Sequence, residues 1–522
     1  MKKILGIFLV IIFAITAFSQ VEGEKDWTVM IYMAADNEAS ADLEGDGWID
    51  IREMLEANVD ESKINVVFES DFGSKGNDGR YIIKDGKFTK VKGYDEINLG
   101  DPKTLKTFIE EVKQQYPAKK YMIDFWGHGT GTISIAGPGT IIHDLQQQQD
   151  QPRRSSIVPS QQDYRAKVEY LMEMAPDWKM ALRASSRIVP MYKMLPKRPG
   201  RSFAYDESSK DSITLAEVKA VLDETDMNFE LIAFDACIMN ELEVHRTFRD
   251  HTKYITSAIT NFPGGGYFYT GWLKYLSEHP RVEGRGLAEA ILASNKDFYT
   301  NIEKYKINFA LTVAERIKKN LRNNPDDVLA YMQENNIPED QFEAFINTYA
   351  SQYVQQNMEA LLENAEKAFK VQPLNFGMIY LKNIDGVIAS LNELIKNLDL
   401  ERDLPIIAKA RQDSEFFNEA FGPDYGNLYM DTMTFTNAFI KNSEDENMVN
   451  LAKAFKEQLM KLEPKKIVIN SYGKLEDSRS AIFFPENIKM YNLLGKYYKP
   501  LDFAKDSLWD EFLEALLAQE AR

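Results

Sequence analysis

Two side chains in this sequence could perform nucleophilic catalysis together, Cys237 and His128. Cys237 is the only cysteine, and it comes shortly after the apolar run 229–234, which predicts a buried strand. His128 lies between two glycines that follow a second apolar run, 120–126. Open α/β sheets carry their chemistry just beyond the carboxyl ends of their strands. The two residues are therefore expected to meet at one edge of a sheet.

A cysteine nucleophile needs a base within hydrogen-bond reach, because at an ordinary pKa near 8.5 only about 3% of a thiol is ionised at neutral pH. His128 could be that base. A helix is predicted to begin at Ile238, and its dipole would favour the Cys237 thiolate. The backbone amides of Gly129 and Cys237 are the expected donors to an oxyanion. The alternatives are a small buried cysteine and a turn histidine that caps a strand.

The elements that must position these residues alternate between apolar runs and amphipathic stretches. The apolar runs predict buried strands at residues 27–33, 64–69, 120–126, 229–234 and 254–259. The amphipathic stretches predict helices at residues 49–56 and 101–115, and a capping-box spacing of Thr214 and Glu217 predicts a helix that reaches 222. Such alternation indicates βαβ units. We therefore predict an α/β fold, a largely parallel sheet flanked by helices.

The chain divides into three predicted regions, the second of which contains an insertion. Residues 1–19 have the pattern of a secretory signal peptide, with an early lysine pair, an apolar stretch and a small-x-small cleavage site. Residues 24–285 form the predicted catalytic domain, within which the glutamine- and arginine-containing segment 137–201 is an inserted, exposed loop. Residues 286–522 form a mostly helical C-terminal region with two late strands, at 466–472 and 480–484.

The composition and the predicted export of the chain exclude some classes of function. The chain has 62 basic and 80 acidic residues and a net charge of −18, which argues against a nucleic-acid partner. After the signal peptide no run approaches the ~20 apolar residues of a membrane helix, so a secreted or periplasmic protein without membrane attachment is expected. A lone cysteine cannot form a disulfide within the chain. Its presence in an exported protein favours a catalytic role.

Six short segments share the motifs of one known family. They are residues 27–36, 98–102, 125–129 and 234–239, followed in the C-terminal region by 429–431 and 481–485. In this order and spacing they resemble the clostripain family of cysteine peptidases, over most of the chain except 137–201. The resemblance implies a caspase- or gingipain-like α/β fold. It also implies that His128 is the general base and Cys237 the nucleophile.

The resemblance further implies a pocket for a basic side chain. In clostripain-like enzymes the aspartate two residues before the cysteine helps to bind the arginine or lysine that precedes the cleaved bond, and Asp235 holds that position. From the residues alone, Asp235 could equally be a helix N-terminal residue stabilised by the dipole. The sequence departs from the family at 257–261, Ser-Ala-Ile-Thr-Asn, where relatives often carry acidic residues. That departure puts strict basic specificity in doubt.

The family also processes itself between the histidine and the cysteine. Here that segment contains the insertion, and its candidate cleavage sites are Arg153, Arg154, Lys197, Arg198 and Arg201. The alternative is an ordinary exposed loop that any protease could cut.

A calcium loop is a separate prediction. Residues 42–53 have the ligand spacing of an EF-hand loop, with glycine at position six and glutamate at position twelve. The candidate calcium ligands are Asp42, Glu44, Asp46, Asp50 and Glu53. The alternative is an acidic approach to a helix with a glycine turn.

Taken together, the sequence predicts an exported cysteine endopeptidase that cleaves proteins or peptides after arginine or lysine. The chemistry requires no cofactor, and calcium would serve a structural role. Two alternatives stay open: a catalytically silent, calcium-stabilised binding module, and a peptidase of the same fold with a preference for other side chains.

Overall fold

The computed structural model describes residues 23–36, 43–73, 76–133, 204–206, 208–209, 211–263, 265–371, 373–417, 428–470 and 475–521. The predicted signal peptide and calcium ligand Asp42 lie outside these residues. So do the insertion between 137 and 201 and the five candidate self-cleavage sites within it.

A nine-stranded sheet forms the centre of the described chain. Its strands run in the order β13-β10-β9-β8-β5-β1-β2-β3-β4. The strand bounds are β1 Lys25–Ala34, β2 Ile64–Asp71, β3 Gly79–Lys84, β4 Lys87–Gly93, β5 Ala118–Trp126, β8 Leu231–Asp235, β9 Tyr254–Ala258, β10 Leu374–Tyr380 and β13 Lys465–Ile469. The five central strands, from β9 to β2, pair in parallel, and the outer strands are antiparallel.

Two small sheets accompany it in the described residues. They contain β6 Tyr205–Asp206 and β7 Asp211–Ser212 in one sheet, and β11 Phe416–Phe417, β12 Tyr429–Asp431 and β14 Ala481–Phe483 in the other.

Helices cover the sheet and fill the C-terminal region. The helices before residue 300 are α1 Leu43–Glu56, α2 Pro102–Gln115, α3 Leu215–Thr225, α4 Leu242–Phe248, α5 Tyr269–Glu278 and α6 Gly284–Thr300. The next are α7 Ile302–Arg322, α8 Pro325–Glu334, α9 Phe342–Gln356, α10 Met358–Val371, α11 Ile384–Lys396 and α12 Leu400–Gln412. The last are α13 Thr432–Asn442, α14 Glu446–Leu462, α15 Ile488–Tyr498, α16 Asp502–Asp506 and α17 Trp509–Glu520. None of the helices described has the length and apolar composition needed to cross a membrane.

The central strands are apolar because both faces of the sheet are buried. Along β1, Met30 and Tyr32 belong to one hydrophobic core, and Val29 and Ile31 to the core on the opposite face. Helix α2 packs its apolar stripe into the first core. Helix α1 contributes Met54 to the second. This two-sided burial explains why short continuous apolar runs predicted the strands.

The predicted fold class is confirmed: a mostly parallel sheet is flanked by helices, with many helices in the C-terminal region. The capping box of Thr214 and Glu217 is also present at the start of α3. The hairpin of β3 and β4 was not predicted. Nor was the addition of β10 and β13 to the main sheet, which therefore continues past residue 285.

Candidate active site

The ends of β5 and β8 bring the two predicted catalytic residues to one edge of the sheet. Trp126 of β5 pairs with Asp235 of β8, and the N–H of Gly127 donates to the carbonyl of Asp235 at 3.2 Å. His128 and Cys237 each lie two residues beyond that pair. His128 is buried and Cys237 is partly exposed. The strand register therefore joins two residues that are far apart in sequence.

Glycine is required on both sides of His128. At Gly129 a Cβ would lie 2.1 Å from the carbonyl oxygen of Cys237 and 3.0 Å from its nitrogen, so the histidine loop lies directly against the cysteine backbone. Gly127 has φ of +138° and lies so close to β1 that a Cβ would be 2.9 Å from the Ala34 carbonyl oxygen. The two residues predicted to form the oxyanion site are thus in contact. Their role as donors stays a prediction.

The backbone at Cys237 differs from the prediction. Helix α4 begins at Leu242 rather than at Ile238, so Cys237 is in a loop and the helix-dipole argument for its thiolate is wrong. The reason is that the loop follows the end of β9: Ile238 N–H donates to the Thr260 carbonyl (3.1 Å) and Asn240 N–H to the Ala258 carbonyl (3.0 Å). Ile238 has φ of +54°, a conformation that β-branched residues rarely adopt.

A backbone amide contacts the sulfur of Cys237. The N–H of Phe262 donates to Cys237 Sγ at 3.3 Å. Phe262 belongs to the loop that follows β9. Its contact with the thiol was not predicted from the sequence, because it depends on β9 lying beside β8.

Buried polar groups hold the segment after His128. Glu241 Oε2 accepts a hydrogen bond from Thr132 N–H at 2.7 Å. Tyr429 donates its hydroxyl to the Thr130 carbonyl (2.8 Å) and accepts from Ile133 N–H (3.0 Å). Burial and the neighbouring Glu243 raise the pKa of Glu241 well above its usual range. The C-terminal region thus helps to position the histidine loop, through Tyr429.

Asp235 is the last residue of β8 and is buried. Its Oδ2 accepts hydrogen bonds from Tyr267 N–H (2.8 Å) and the Tyr269 hydroxyl (3.2 Å). Burial, followed by the nearby Asp124, raises the pKa of Asp235 well above its usual range. Asp235 therefore does not begin a helix, and the interpretation as a dipole-stabilised N-terminal residue is wrong.

A second carboxyl group lies beside Asp235. Gly266, with φ of +55°, packs directly against both carboxyl groups: a Cβ there would lie only 2.9 Å from Asp235 Oδ2 and 3.3 Å from Asp50 Oδ2. Asp50 also accepts a hydrogen bond from Trp126 Nε1 at 2.6 Å. Burial, Glu53 and Asp235 together raise the pKa of Asp50. We call Asp50, Asp235 and Gly266 the carboxylate pocket. Asp50 was a predicted calcium ligand, and its place in this pocket was missed.

Comparison with known proteins is consistent with this architecture. The sequence model of the clostripain family matches residues 31–144 and 192–515. The chain belongs to the clostripain family. It is 30% identical over 147 residues to clostripain from Hathewaya histolytica, and the match covers 24% of this chain and 27% of that protein. The matched part thus spans about a quarter of the length of that relative.

Two solved structures of family members share the fold. A secreted C11 cysteine protease from Bacteroides thetaiotaomicron, described in complex with an irreversible peptide inhibitor, aligns with a TM-score of 0.53 and 15% identity, over 93% of this chain and 100% of that one. An inactive zymogen C11 protease from Parabacteroides distasonis aligns with a TM-score of 0.50 and 15% identity, over 93% and 99%. The predicted family is therefore confirmed.

The EF-hand loop predicted in this clostripain-family chain is absent from residues 43–53, because they form the helix α1. A helix cannot bend these side chains around one ion as a twelve-residue loop does. Each side chain has a protein partner instead. Glu44 pairs with Lys319 (3.2 Å), Asp46 with Arg316 (3.1 Å), Asp50 with Trp126, and Glu53 with Tyr269 N–H (2.9 Å) and Asn308 (2.8 Å). The loop geometry was wrong, and calcium binding by these residues stays untested.

Two histidines outside the predicted catalytic pair, His245 and His251, are buried. Burial lowers the pKa of His245 to about 3, so it stays neutral. His245 lies on α4, behind the cysteine loop. Helical periodicity alone did not reveal that this face of α4 packs into the core of the clostripain-family fold.

Proposed function

We propose that this clostripain-family chain is an exported cysteine endopeptidase that cleaves after arginine or lysine. The observation that carries the proposal is the convergence of His128, Cys237 and the carboxylate pocket at the ends of β5 and β8. A nucleophile, a base and a binding site for a basic side chain are the parts that this reaction requires.

The proposed chemistry is acyl transfer through Cys237. The imidazole of His128 takes the thiol proton, and Sγ attacks the carbonyl carbon of the scissile bond. The amides of Gly129 and Cys237 donate to the oxyanion as it forms. His128 then gives its proton to the leaving amine, and the C–N bond breaks to leave a thioester. Water, deprotonated by His128, hydrolyses the thioester and restores the thiol.

The proposed specificity comes from two buried carboxyl groups. Asp235 and Asp50 are at most 5% exposed and both lie against Gly266, and burial raises the pKa of both. A guanidinium or ammonium group of a substrate that reaches these two carboxyl groups would supply the positive charge that they lack. Asp50 thereby replaces the acidic residue that the 257–261 stretch lacks. The second wall of the pocket comes from α1 instead of the loop after β9.

Export and self-processing complete the proposal. The signal-peptide pattern of residues 1–19 supports export, and a structural relative is described as secreted. Self-cleavage in the insertion would occur at Arg153, Arg154, Lys197, Arg198 or Arg201, since these match the proposed specificity. Sequencing the new N-termini of purified wild-type protein tests this. Intact insertion in active enzyme would contradict it.

The direct test is peptide hydrolysis by the purified chain. Fluorogenic peptides that end in arginine, lysine or aspartate are compared, with Cys237→Ala and His128→Ala beside the wild type. We expect turnover of the basic peptides only, and a loss of at least about 10³-fold in both variants. Equal turnover by Cys237→Ala would refute the peptidase, and activity on aspartate alone would refute the pocket. A folded wild type without any turnover would favour a silent binding module.

A further inference from the structure

A group of acidic side chains outside the proposed catalytic site converges near the ends of β1 and β2. We call it the strand-end acidic cluster, and its members are Asp36, Asp71, Asp78, Glu96 and Asp206. Asp71 is the last residue of β2 and pairs with Ala34 of β1, and Asp36 follows two residues after Ala34. The cluster therefore lies at the same edge of the sheet as His128 and Cys237.

Three members are close enough to share one ion. Asp36, Asp71 and Glu96 each offer a carboxylate oxygen, and these oxygens lie within 4.8 Å of one another. Asp36 and Asp71 are buried, and Glu96 is at the surface. Two ligands on opposite sides of calcium are about 5 Å apart, twice a Ca–O distance of about 2.4 Å. The spacing is therefore compatible with joint coordination.

Asp71 carries the strongest indication of a ligand. It is 0% exposed, and neither of its carboxylate oxygens accepts a hydrogen bond from the part of the chain that the structure describes. Asp206 is equally buried, and its Oδ2 also lacks a donor there. A buried carboxyl group without donors is costly, and proteins normally compensate it with a cation, a proton or hydrogen bonds.

The charges around Asp71 are nearly all negative. Burial, then Asp206, Asp36, Asp78 and Glu96, raise the pKa of Asp71 to about 10. Burial raises the pKa of Asp206 to about 6 and of Asp78 to about 7, although Lys90 acts in the opposite direction on Asp78. A bound cation would offset this concentration of negative charge.

We infer that Asp36, Asp71 and Glu96 bind a calcium ion, with Asp206 as an adjacent fourth carboxylate. The donors are all oxygen atoms, which suits hard cations and disfavours zinc or copper. Calcium accepts several carboxylates in irregular geometry, whereas magnesium requires a near-octahedral shell and retains water. This site is distinct from the predicted loop at 42–53.

The calcium ion would stabilise the backbone next to the proposed active site. Asp36 and Asp71 fix the ends of two neighbouring strands, and Gly127 packs on the carbonyl of Ala34, two residues before Asp36. Asp36 also accepts a hydrogen bond from Ser208 N–H at 2.9 Å, which ties the cluster to the chain before α3. Calcium is therefore expected to stabilise the sheet edge rather than to take part in peptide hydrolysis.

Calorimetric titration and thermal unfolding test the site on the full purified chain after EGTA treatment and dialysis. We expect calcium to bind with a stoichiometry of one and to raise Tm by about 3 °C at a concentration 100-fold above Kd. Asp71→Asn and Glu96→Gln should weaken binding at least tenfold. Glu96 is exposed, so its substitution leaves folding intact. Glu44→Gln and Asp46→Asn are the matched controls and should bind calcium like the wild type.

Each contrary result has a defined meaning. Absence of binding heat and of a Tm shift would overturn the inference. So would a calcium response that persists unchanged in Glu96→Gln, or one that is lost in Glu44→Gln and kept in Asp71→Asn. Tighter binding of magnesium than of calcium would overturn the choice of ion. Because binding and stability are measured without substrate, these outcomes are separable from failure of the proposed peptidase activity.

Discussion

Two groups of buried carboxylates lie at one edge of the sheet, and they differ in how the protein compensates them. In the carboxylate pocket, the Trp126 indole donates to Asp50, and Tyr267 N–H and the Tyr269 hydroxyl donate to Asp235. In the strand-end acidic cluster, Asp71 accepts no hydrogen bond from the described chain.

The difference suggests two kinds of cation site. Hydrogen bonds from neutral donors offset part of the cost of burying a carboxyl group, which suits a pocket that basic side chains enter and leave. A buried carboxylate without donors is stable only with a proton or a resident ion. The carboxylate pocket therefore fits a transient substrate cation, and the strand-end acidic cluster fits a permanent metal ion.

Removing the charge of Asp235 should have the largest effect. Asp235→Asn keeps a carbonyl oxygen for the Tyr267 N–H and removes the negative charge, so kcat/KM for arginine peptides should fall about 10²- to 10³-fold, since a broken buried charge pair costs about 3–5 kcal/mol. A peptide with norleucine in place of arginine is the control, because it carries no charge. An equal loss on both peptides would mean that Asp235 supports the fold rather than specificity.

The pH dependence of stability tests the strand-end acidic cluster. The pKa of Asp71 is raised to about 10 and that of Asp206 to about 6, so each is raised above its unfolded value near 3.9. Stability from such groups is fully present below pH 4 and is lost as pH rises through the folded pKa. In EGTA, the free energy of unfolding should therefore fall between pH 5 and pH 8, by up to about 1.4 kcal/mol per pH unit for one carboxyl.

Urea unfolding at half-unit pH steps measures that slope. Calcium should flatten it, because the ion replaces the proton. Asp71→Asn should flatten it as well, even in EGTA. A slope that is the same with calcium, with EGTA and in the variant would show that other buried carboxyls, such as Glu53, dominate the pH dependence.

The sequence predicted the core of the sheet and the residues at the ends of β5 and β8. This was possible because buried parallel strands have continuous apolar sequences, and His128 and Cys237 come shortly after such sequences. Strand β10 was missed because it lies within a long helical region and joins the sheet only through tertiary pairing with β9. The prediction of a helix that begins at Ile238 was wrong, because hydrogen bonds to the segment around Thr260 override the local preference for helix.

Neither carboxylate group could be predicted from spacing. Asp50 and Asp235 approach each other only because α1 lies against the end of β5, beside β8, and the EF-hand spacing of 42–53 coincided with helical periodicity. One signal for the strand-end acidic cluster was available: Asp36 and Asp71 both stand at the carboxyl ends of predicted neighbouring strands. Glu96 has no such signal, since it follows a hairpin that was not predicted.

Substitution of Asp50 separates its proposed role in the carboxylate pocket from its predicted role as a calcium ligand. Asp50→Asn should lower kcat/KM for arginine peptides by about tenfold, a smaller effect than that of Asp235→Asn, because the Trp126 N–H already occupies Asp50 Oδ2 and competes with the substrate cation for it. Calcium binding should be unchanged. Loss of calcium binding in this variant, with normal kinetics, would instead return Asp50 to the role first predicted from the sequence.

The smallest effect is expected where acidic residues of α1 already have basic partners. Asp46 pairs with Arg316, whose side chain is 43% exposed while that of Asp46 is 9% exposed, so solvent screens the pair from the arginine side. Asp46→Asn should lower the free energy of unfolding by about 0.5 kcal/mol in urea, equally with calcium and with EGTA. Arg316→Gln should give the same small loss, and the double variant should lose no more than either single one. A calcium-dependent loss in Asp46→Asn would mean that α1 contributes to the ion site, and that protein cations and a metal ion compete for its carboxylates.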